Sequence, residues 1–403
     1  MVTYTSLVQS SLIALSCAVV CNGAPVESTP NKVVPYTFDV RRANPLDYNL
    51  DRGEVGDADI SKRHGKNHYV KAPLKNKHVY YEAELEIGSK LQKNRVLFDT
   101  GSSDLWVIAS DAECIDVECK KDGTYSLEES STGKNLSESL QIIYADGAGA
   151  NGSYVSDTVK FGKAIVKNQE FGLAETSTSM YGVLGIGFPP LEATENGTTY
   201  DNFPINLKKQ GYINKIAFSL YLNSINSTTG SILFGGVDHA KHEGELTELP
   251  IVEGDTLAVD FNSVVINGET ISNKTSVVLD SGSGYTKLPL NIVDGIGESI
   301  GGRYNSTLGG YLVGCQQNDN LTFNFPKNVS ISAPISNFLY PLDVVTGEES
   351  SSNECFLGIK DGQGSDTLGE NFLRSAYVKY DLEDRTIALA QVKYTAKTSI
   401  EEL

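Results

Sequence analysis

Short apolar runs alternate with turn-forming residues through most of the chain. Between residues 77 and 395, runs of Val, Ile, Leu, Tyr and Phe are repeatedly interrupted by Gly, Asn, Asp and Ser. This spacing is typical of short β-strands joined by tight turns. Two stretches, residues 205–210 and 289–300, show helical spacing of their apolar positions instead. The pattern predicts a mainly β protein with two short helices.

The first 63 residues differ from the rest of the chain. Residues 1–23 carry no charge and contain an apolar run at 11–20, which predicts a signal peptide although the usual basic start is missing. That run is shorter than the roughly 20 residues of a membrane span. Residues 24–63 are polar and end in Lys62-Arg63, interpreted as a processing site rather than an ordinary charge pair, whereas Arg41-Arg42 is interpreted as an ordinary solvated pair. We therefore predict a propeptide at 24–63.

Composition excludes several classes of function. Lys and Arg total 33 against 51 for Asp and Glu, a net charge of −18, so a nucleic-acid backbone would be repelled. The chain has 5 histidines and 6 cysteines without any C-x-x-C pair, which leaves little for zinc or redox-thiol chemistry. We expect no metal and no cofactor. No apolar tail follows Tyr394, which argues against a membrane anchor.

Cysteines and glycosylation sequences fit a secreted protein. Four cysteines follow residue 63 and allow three connectivities; their spacing favours Cys114–Cys119 and Cys315–Cys355. Eight Asn-x-Ser/Thr sequences also follow that residue. Since chance alone yields several, they support secretion rather than prove it. They lie at Asn135, Asn151, Asn196, Asn226, Asn273, Asn305, Asn320 and Asn328.

An internal repeat indicates that the mature chain is built twice. Residues 96–106 (VLFDTGSSDLW) and 278–288 (VLDSGSGYTKL) share two apolar residues, Asp, Ser or Thr, Gly and Ser. Each copy is followed by a second signal, VLG at 183–185 and TLG at 367–369. We predict two similar β lobes, at 64–250 and 251–403, that bring Asp99 and Asp280 together across a cleft.

Two adjacent carboxylates have a definite chemistry. They cannot both ionise cheaply, so one keeps a proton and the pair acts as base and acid on one water molecule. The neighbouring residues suit this role. Gly101 and Gly282 permit close approach, and Thr100 and Ser281 are suited to bridging the two turns. Ser102 and Ser283 each offer a hydroxyl to the outer oxygen of one Asp.

These motifs resemble the pepsin-type aspartic proteases, over roughly residues 77–395. The matching segments are D-T-G-S-S-D-L-W at 99–106, D-S-G-S at 280–283 and the two later apolar-apolar-Gly signals. The resemblance implies a bilobal fold with two barrel-like β lobes. It also implies a hairpin flap at 143–147 whose Tyr144 hydroxyl meets Trp106, with Gly147 in the turn.

Two positions bear on substrate preference. Fungal members with an Asp two places after the flap Tyr tend to accept a basic residue at the cleavage point, so Asp146 suggests that preference. An ordinary solvated turn residue is the alternative for Asp146. Gly284 departs from the family, which usually has Ser or Thr there to bond the substrate backbone, so we expect altered substrate binding with intact chemistry.

The resemblance implies a secreted, acid-active endopeptidase made as a zymogen, similar to fungal secreted and cell-wall enzymes of the candidapepsin or yapsin kind. Polypeptides would be its substrates, a dibasic-specific protease would process it, and Lys32 is one candidate to pair with the dyad in the precursor. We expect the enzyme to be a monomer. Its expected location is outside the cell or in the cell wall or periplasm, and the vacuole is the second choice.

The sequence allows three other interpretations of its function. A catalytically silent peptide-binding glycoprotein on the same fold is the main alternative. A Ca²⁺-binding surface glycoprotein would explain the acidity, but no D-x-[DN]-x-[DN]-G loop is present. Residues 297–301 match the G-x-S-x-G nucleophile elbow of serine hydrolases, with Ser299 at its centre. That elbow requires a strand before it and a His later in the chain, but the sequence before residue 297 has a helical pattern and no His follows.

Overall fold

The computed structural model describes residues 33–42, 79–227, 229–347 and 352–403. The predicted signal peptide, Lys32 and Lys62-Arg63 lie outside these residues. Strands predominate, which confirms the mainly β prediction. Their bounds are β1 Val34–Arg42, β2 Val79–Ile87, β3 Gln92–Asp99, β4 Leu105–Cys114, β5 Lys134–Ile143, β6 Gly149–Phe161, β7 Ala164–Ser177, β8 Gly182–Gly185, β9 Ala217–Tyr221, β10 Thr229–Phe234, β11 Gly236–Asp238, β12 His242–Pro250, β13 Ala258–Ile266, β14 Glu269–Leu279, β15 Thr286–Leu288, β16 Arg303–Asn305, β17 Gly310–Gly314, β18 Asn320–Asn324, β19 Ser330–Pro334, β20 Leu339–Pro341, β21 Glu354–Leu357, β22 Ile359–Asp361, β23 Thr367–Leu368, β24 Ala376–Asp381, β25 Thr386–Val392 and β26 Ile400–Glu402.

Helices are few and short in the described part of the chain. The two predicted helices are present as α1 and α2, with ends within two residues of those expected. Helix α2 buries Ile292, Val293 and Ile296, the apolar face that its spacing indicated. No described helix is both long and apolar enough to cross a membrane. The helices are α1 Phe203–Lys209, α2 Leu290–Ser299, α3 Leu342–Thr346 and α4 Glu370–Leu373, with short 3₁₀ turns at Pro189–Leu191, Glu195–Gly197, Pro326–Asn328 and Ile335–Phe338.

One large sheet joins strands from both predicted lobes. Its 13 strands lie in the order β12-β25-β24-β9-β10-β1-β2-β3-β8-β4-β7-β6-β5. Strands β24 and β25 come from the C-terminal part of the chain and pair with β9 and β12. The predicted lobe boundary at residue 250 coincides with the end of β12. The C-terminal part also forms a seven-stranded sheet, β19-β18-β13-β14-β23-β15-β22, and a four-stranded sheet, β16-β17-β21-β20.

Strand β1 comes from the predicted propeptide and lies inside the large sheet. It pairs antiparallel with β10, from Val34 opposite Phe234 to Asp39 opposite Thr229. Its other edge pairs with β2, where Arg41 and Arg42 are opposite Tyr80 and Val79. A processing protease needs an extended substrate segment free to enter its own site. The basic pair at 41–42 is therefore poorly placed for cleavage, in keeping with its interpretation as an ordinary pair.

The sequence repeat corresponds to a repeated strand arrangement. In the first half, β8 runs parallel to β3 and antiparallel to β4. In the second half, β23 runs parallel to β14 and antiparallel to β15. Each Asp therefore lies at the carboxyl end of a strand whose neighbour is the VLG or TLG signal. Each second signal therefore lies next to the turn that carries an Asp.

Aromatic packing supports the strand that leads to Asp99. Phe234 makes ring contacts with Phe98, Phe161 and Phe203 at centroid distances of 6.5, 5.9 and 5.9 Å. All four rings belong to the same buried core. Since Phe98 directly precedes Asp99, this cluster holds the end of β3 in place.

Both predicted disulfides are present. Cys114–Cys119 closes a loop with a sequence separation of 5, and Cys315–Cys355 one with a separation of 40. The second bond ties the segment after β17 to the start of β21. This confirms the pairing that the spacing favoured among the three connectivities.

Removing the longer-range disulfide should destabilise the protein more than removing the short one. On the chain-entropy relation, the Cys315→Ser/Cys355→Ser variant loses up to about 4 kcal/mol of unfolding free energy, and the Cys114→Ser/Cys119→Ser variant up to about 2 kcal/mol. Urea unfolding at one acidic pH measures both. Equal losses would show that loop entropy is not the source of the stabilisation.

Candidate active site

The two aspartates emerge from equivalent turns. Asp99 is the last residue of β3, and Asp280 directly follows β14. The backbone N–H of Ile186 donates to the Asp99 carbonyl at 3.1 Å, and the N–H of Asp280 donates to the Leu368 carbonyl at 3.1 Å. Each turn is thereby fastened to the strand that carries the second sequence signal.

The glycines of those signals leave no room for a side chain. A Cβ at Gly185 would lie 2.6 Å from the Ser103 nitrogen, and one at Gly369 would lie 2.3 Å from the Tyr285 carbonyl oxygen. Both contacts are with backbone atoms, which cannot move aside without distorting the strand or the turn. The apolar-apolar-Gly signal therefore reflects the close approach of a strand to the turn that presents each Asp.

The glycines beside the aspartates are needed because the two turns touch. A Cβ at Gly101 would lie 2.6 Å from Asp280 Oδ1, and a Cβ at Gly282 would lie 2.4 Å from Asp99 Oδ1. Each glycine N–H also donates to the carboxylate of its own turn, at 2.7 Å for Gly101 and 2.8 Å for Gly282. Each carboxylate thus rests against the opposite turn.

A reciprocal set of hydrogen bonds joins the two turns. The backbone N–H of Thr100 donates to Ser281 Oγ at 3.1 Å, and that of Ser281 donates to Thr100 Oγ1 at 2.9 Å. The Thr100 hydroxyl donates to the Leu279 carbonyl at 2.8 Å, and the Ser281 hydroxyl donates to the Phe98 carbonyl at 2.9 Å. Thr100 and Ser281 are both buried, so these bonds are made away from water.

The hydroxyls of the two motifs are used differently. Ser102 Oγ donates to Asp99 Oδ2 at 2.5 Å, as expected. Ser283 Oγ instead donates to the Tyr285 carbonyl at 3.1 Å, so it does not hold Asp280 in the way the sequence suggested. The acceptor that Ser283 uses is thus a backbone carbonyl two residues further along the chain. Asp99 therefore has one more hydrogen-bond donor than its twin.

The surroundings of Asp280 alter its titration. Burial raises the pKa of Asp280 well above its usual range, and the adjacent charge of Asp99 raises it further. The raised pKa favours the protonated form of the Asp280 carboxyl. Asp99 accepts hydrogen bonds from the Gly101 N–H and the Ser102 hydroxyl in the same site.

A hairpin between β5 and β6 places Tyr144 at the site. The Trp106 indole N–H donates to the Tyr144 hydroxyl oxygen at 2.7 Å, and Trp106 is fully buried. The turn is closed by the Gly147 N–H donating to the Tyr144 carbonyl at 2.9 Å, and Gly147 has a φ of +84° that favours glycine. Burial, followed by the charge of Asp99, raises the pKa of Tyr144, so the phenol stays neutral.

Asp146 and Gly284 lie in more open surroundings. Asp146 is exposed, and its Oδ1 accepts the N–H of Ala148 at 2.9 Å, so the carboxylate stabilises the hairpin turn. Gly284 has no atom within 4 Å of the position that a Cβ would take. Its carbonyl accepts the Tyr340 hydroxyl at 3.0 Å. A side chain could therefore be added at Gly284 without displacing a neighbour.

Asp104, within the first motif, is a supporting residue that sequence reasoning missed. It is completely buried and accepts hydrogen bonds from the Tyr154 hydroxyl at 2.7 Å, the Tyr200 hydroxyl at 3.0 Å and the Ala193 N–H at 2.8 Å. Burial raises the pKa of Asp104, while these donors act in the opposite direction. No local pattern signals a residue whose partners are so distant in sequence.

The remaining candidates lie away from this site. Ser299 ends helix α2, so no strand precedes it as a nucleophile elbow requires. His239 and His242 contact each other at 3.3 Å near the C-terminal strand. Within the described ranges, no group of three or more His, Cys, Asp or Glu side chains is arranged to hold a metal ion. The sequon Asn residues with described side chains, at 135, 151, 226, 273, 305, 320 and 328, are exposed or half-buried.

The geometry defines an aspartic protease site, and comparison with known proteins agrees. The chain belongs to the family described as eukaryotic aspartyl protease, whose sequence profile matches residues 80–392. It is therefore an aspartic-type endopeptidase that acts on polypeptides. This assignment confirms the family predicted from the motifs and favours an enzyme over a silent binding protein.

Within this family, the chain is similar to secreted enzymes of fungi. The chain is 39% identical to Candidapepsin-4 of Candida albicans, over 97% of this chain and 98% of that protein. It is 42% identical to Secreted aspartic protease 8 of Candida albicans, over 83% and 81%. The crystal structure of the aspartic proteinase from Irpex lacteus matches with a TM-score of 0.67 at 22% identity, covering 80% of this chain and 97% of that one. The pepsin-like fold is thereby confirmed.

Replacing Thr100 by Val should destabilise the protein because it leaves the buried Ser281 N–H without its acceptor. The expected loss of unfolding free energy is about 1–3 kcal/mol, measured by urea unfolding. Thr270→Val, at an exposed position on β14, is the matched control and should change little. Equal effects of the two substitutions would contradict a role for the hydrogen bonds between the turns.

Proposed function

We propose that this chain is a secreted, acid-active aspartic endopeptidase made as a zymogen, with Asp99 and Asp280 activating one water molecule. The observation that carries the proposal is the reciprocal contact of the two turns, in which each carboxylate lies against the other's glycine. Such an approach is costly for two charges and is retained where one shared proton is useful.

The reaction proceeds by general acid–base catalysis without a covalent intermediate. Asp99 takes a proton from water, and the water oxygen attacks the peptide carbonyl carbon. Asp280 gives its proton to the carbonyl oxygen, which forms a tetrahedral diol. The diol then collapses: a hydroxyl proton returns to Asp280, the C–N bond breaks, and the leaving nitrogen takes the proton held by Asp99. Both products leave and the dyad regains its starting state.

The supporting residues hold this arrangement in place. Thr100 and Ser281 fix the relative position of the turns, and Ser102 stabilises the charge on Asp99. The Trp106 hydrogen bond orients the phenol of Tyr144 on the hairpin. Closure of this hairpin over a bound substrate would exclude water and so strengthen the electrostatic interactions of the site. No step requires a metal or cofactor.

Activity should depend on pH with two limbs. The working state has Asp280 protonated and Asp99 ionised. Because burial and the Asp99 charge raise the pKa of Asp280, its proton is retained through the acidic range and lost as pH rises through that raised value. At the acid end, activity falls when the pair takes up a second proton. The two values belong to the coupled pair.

The zymogen proposal rests on strand β1 and the dibasic pair. Residues 24–63 would form a propeptide after removal of a signal at 1–23, with lobes at 64–250 and 251–403. The position of β1 between β10 and β2 supports a role for the propeptide in folding. A dibasic-specific protease would cut after Lys62-Arg63. The relative Secreted aspartic protease 8 is named as secreted, which supports release of this enzyme from the cell.

Asp280→Asn should abolish hydrolysis, since an amide cannot donate and recover the proton. Cleavage of denatured globin by the wild-type enzyme between pH 3 and 6 should be blocked by pepstatin. The variant's kcat/KM should fall by about a thousandfold or more. Asp260→Asn, at an exposed position on β13, is the control and should retain activity. Full activity of Asp280→Asn would refute the dyad.

Gly284→Thr should improve substrate binding, because the open space accepts a side chain whose hydroxyl could bond the substrate backbone. One added hydrogen bond predicts a gain of about two- to tenfold in kcat/KM on peptides. Gly284→Ala adds the methyl group without the hydroxyl and separates bonding from stiffening of the backbone. If the Thr variant matches the Ala variant or the wild type, the hydroxyl has no such role.

A further inference from the structure

Two lysines lie side by side on the strand that leaves the Asp280 turn. Strands β15 and β22 pair in parallel, with Lys287 opposite Lys360. Opposed residues in such a ladder point to the same face. Thr286, between Tyr285 and Lys287, points to the buried face, where its hydroxyl donates to Asn371 Oδ1 at 2.7 Å. Lys287 and Lys360, called here the lysine pair, therefore share the opposite, half-buried face.

The lysine pair has no counter-charge in the described part of the chain. No carboxylate oxygen there lies within 4.0 Å of either ammonium nitrogen. Two other lysines with little exposure are paired with carboxylates: half-buried Lys215 lies 2.6 Å from Asp381, and buried Lys379 lies 2.5 Å from Glu248. This contrast is notable in a chain with 51 acidic and 33 basic residues.

Nearby carboxylates are engaged elsewhere. Asp361 Oδ1 accepts the Gln363 N–H at 3.0 Å, and Asp366 Oδ2 accepts the Thr275 hydroxyl at 2.7 Å. Burial, followed by the charge of Lys287, lowers the pKa of Lys360. Two adjacent ammonium groups repel each other, and an anion placed between them would relieve that cost.

Aromatic rings fix the position of Lys360. Its Nζ lies 5.0 Å from the Tyr285 ring centroid and 5.1 Å from that of Phe356. Tyr285 packs in turn on Tyr340 at 5.0 Å, and the Tyr340 hydroxyl donates to the Gly284 carbonyl. The rings hold the ammonium by cation–π attraction but do not neutralise it. The charge is thus held in place beside the turn.

The lysine pair lies within electrostatic reach of the dyad. Lys287 follows Asp280 on the same turn and strand, and its charge acts on Asp280 in the direction opposite to burial. Along the chain, Gly284 lies between Asp280 and Lys287, and no atom lies within 4 Å of the position that a Cβ at Gly284 would take. A polypeptide bound across the dyad would therefore pass close to the segment that leads to Lys287.

We propose that Lys287 and Lys360 bind the carboxylate of an Asp or Glu side chain in the substrate, close to the scissile bond. This inference rests on the proposed function, since it places a polypeptide across Asp99 and Asp280. Charge-assisted hydrogen bonds from the two ammonium groups would orient the acidic side chain. The enzyme then selects acidic sequences locally in spite of its own net negative charge.

Matched peptides test this selection. One cleavable peptide is prepared with Glu, and separately Gln, at each position from four residues before to four after the scissile bond. At pH 5 a Glu side chain is mostly ionised. The wild-type enzyme should show kcat/KM about tenfold higher for Glu than for Gln at one or two positions. In Lys360→Met, which keeps the apolar stem, that ratio should fall to about one.

Charge reversal and a control sharpen the test. The Lys287→Glu/Lys360→Glu double variant should reverse the preference at the same position, so that a Lys peptide is cleaved faster than its Gln counterpart. Lys163→Met removes an exposed charge in the turn between β6 and β7 and should keep the wild-type ratio. Thermal unfolding checks that each variant is folded. Equal rates on Glu and Gln peptides at every position, or an unchanged ratio in Lys360→Met, would overturn the inference while leaving the endopeptidase intact.

A binding measurement separates the two proposals. If the wild-type enzyme cleaves no peptide, the proposed function fails, but the lysine pair is still tested by fluorescence anisotropy of labelled Glu and Gln peptides on the Asp280→Asn protein. Tighter binding of a Glu peptide that is lost in Asp280→Asn/Lys360→Met supports the site. Equal binding of both peptides refutes it.

Discussion

The closeness of two carboxylates is the constraint on which the rest of the structure depends. Asp99 and Asp280 lie against each other's glycine, so neither turn tolerates a Cβ. Thr100 and Ser281 exchange hydrogen bonds that no single turn could make alone. The parallel strands behind the turns, and the ring cluster on Phe234, hold each carboxylate where repulsion would otherwise displace it. A proton shared by the two carboxylates removes the repulsion between two negative charges.

A symmetric framework carries an asymmetric site. The two halves share motif, strand order and glycine positions, yet Ser102 bonds its carboxylate and Ser283 bonds a backbone carbonyl. That difference gives the two carboxylates unequal surroundings. A similar departure occurs further along, where Gly284 leaves space and Lys287 brings charge beside one Asp only. The duplicated strand arrangement holds both Asp residues in place, and the local differences give each of them its own surroundings.

Much of this could be predicted because the decisive signals are local. The D-T-G and D-S-G motifs, the apolar-apolar-Gly signals and the spacing of the cysteines identified the fold class, the family and both disulfides. Helix α2 followed from apolar positions three and four residues apart. Residues whose role depends on distant partners were not predictable: Asp104 meets Tyr154 and Tyr200 only in the folded chain.

Other features escaped sequence reasoning for different physical reasons. Ser283 donates to the Tyr285 carbonyl, and the motif, which is the same in both halves, does not distinguish that acceptor from the carboxylate. Lys287 and Lys360 become neighbours through a parallel pairing between segments that are far apart in sequence. Strand β1 has a sequence that suits an edge or a loop as well as a central strand. Its environment, rather than its composition, determines its place.

The place of β1 changes what maturation involves. It pairs through six registered positions with β10 and four with β2. Hydrolysis of a peptide bond at residue 63 breaks none of these hydrogen bonds, so the cut segment remains a bound ligand of the sheet. Its departure would leave a gap about 10 Å wide between two strands, each with an unpaired row of N–H and C=O groups. In the proposed maturation, release of β1 would therefore require separation of these strand pairings in addition to the cut in the chain.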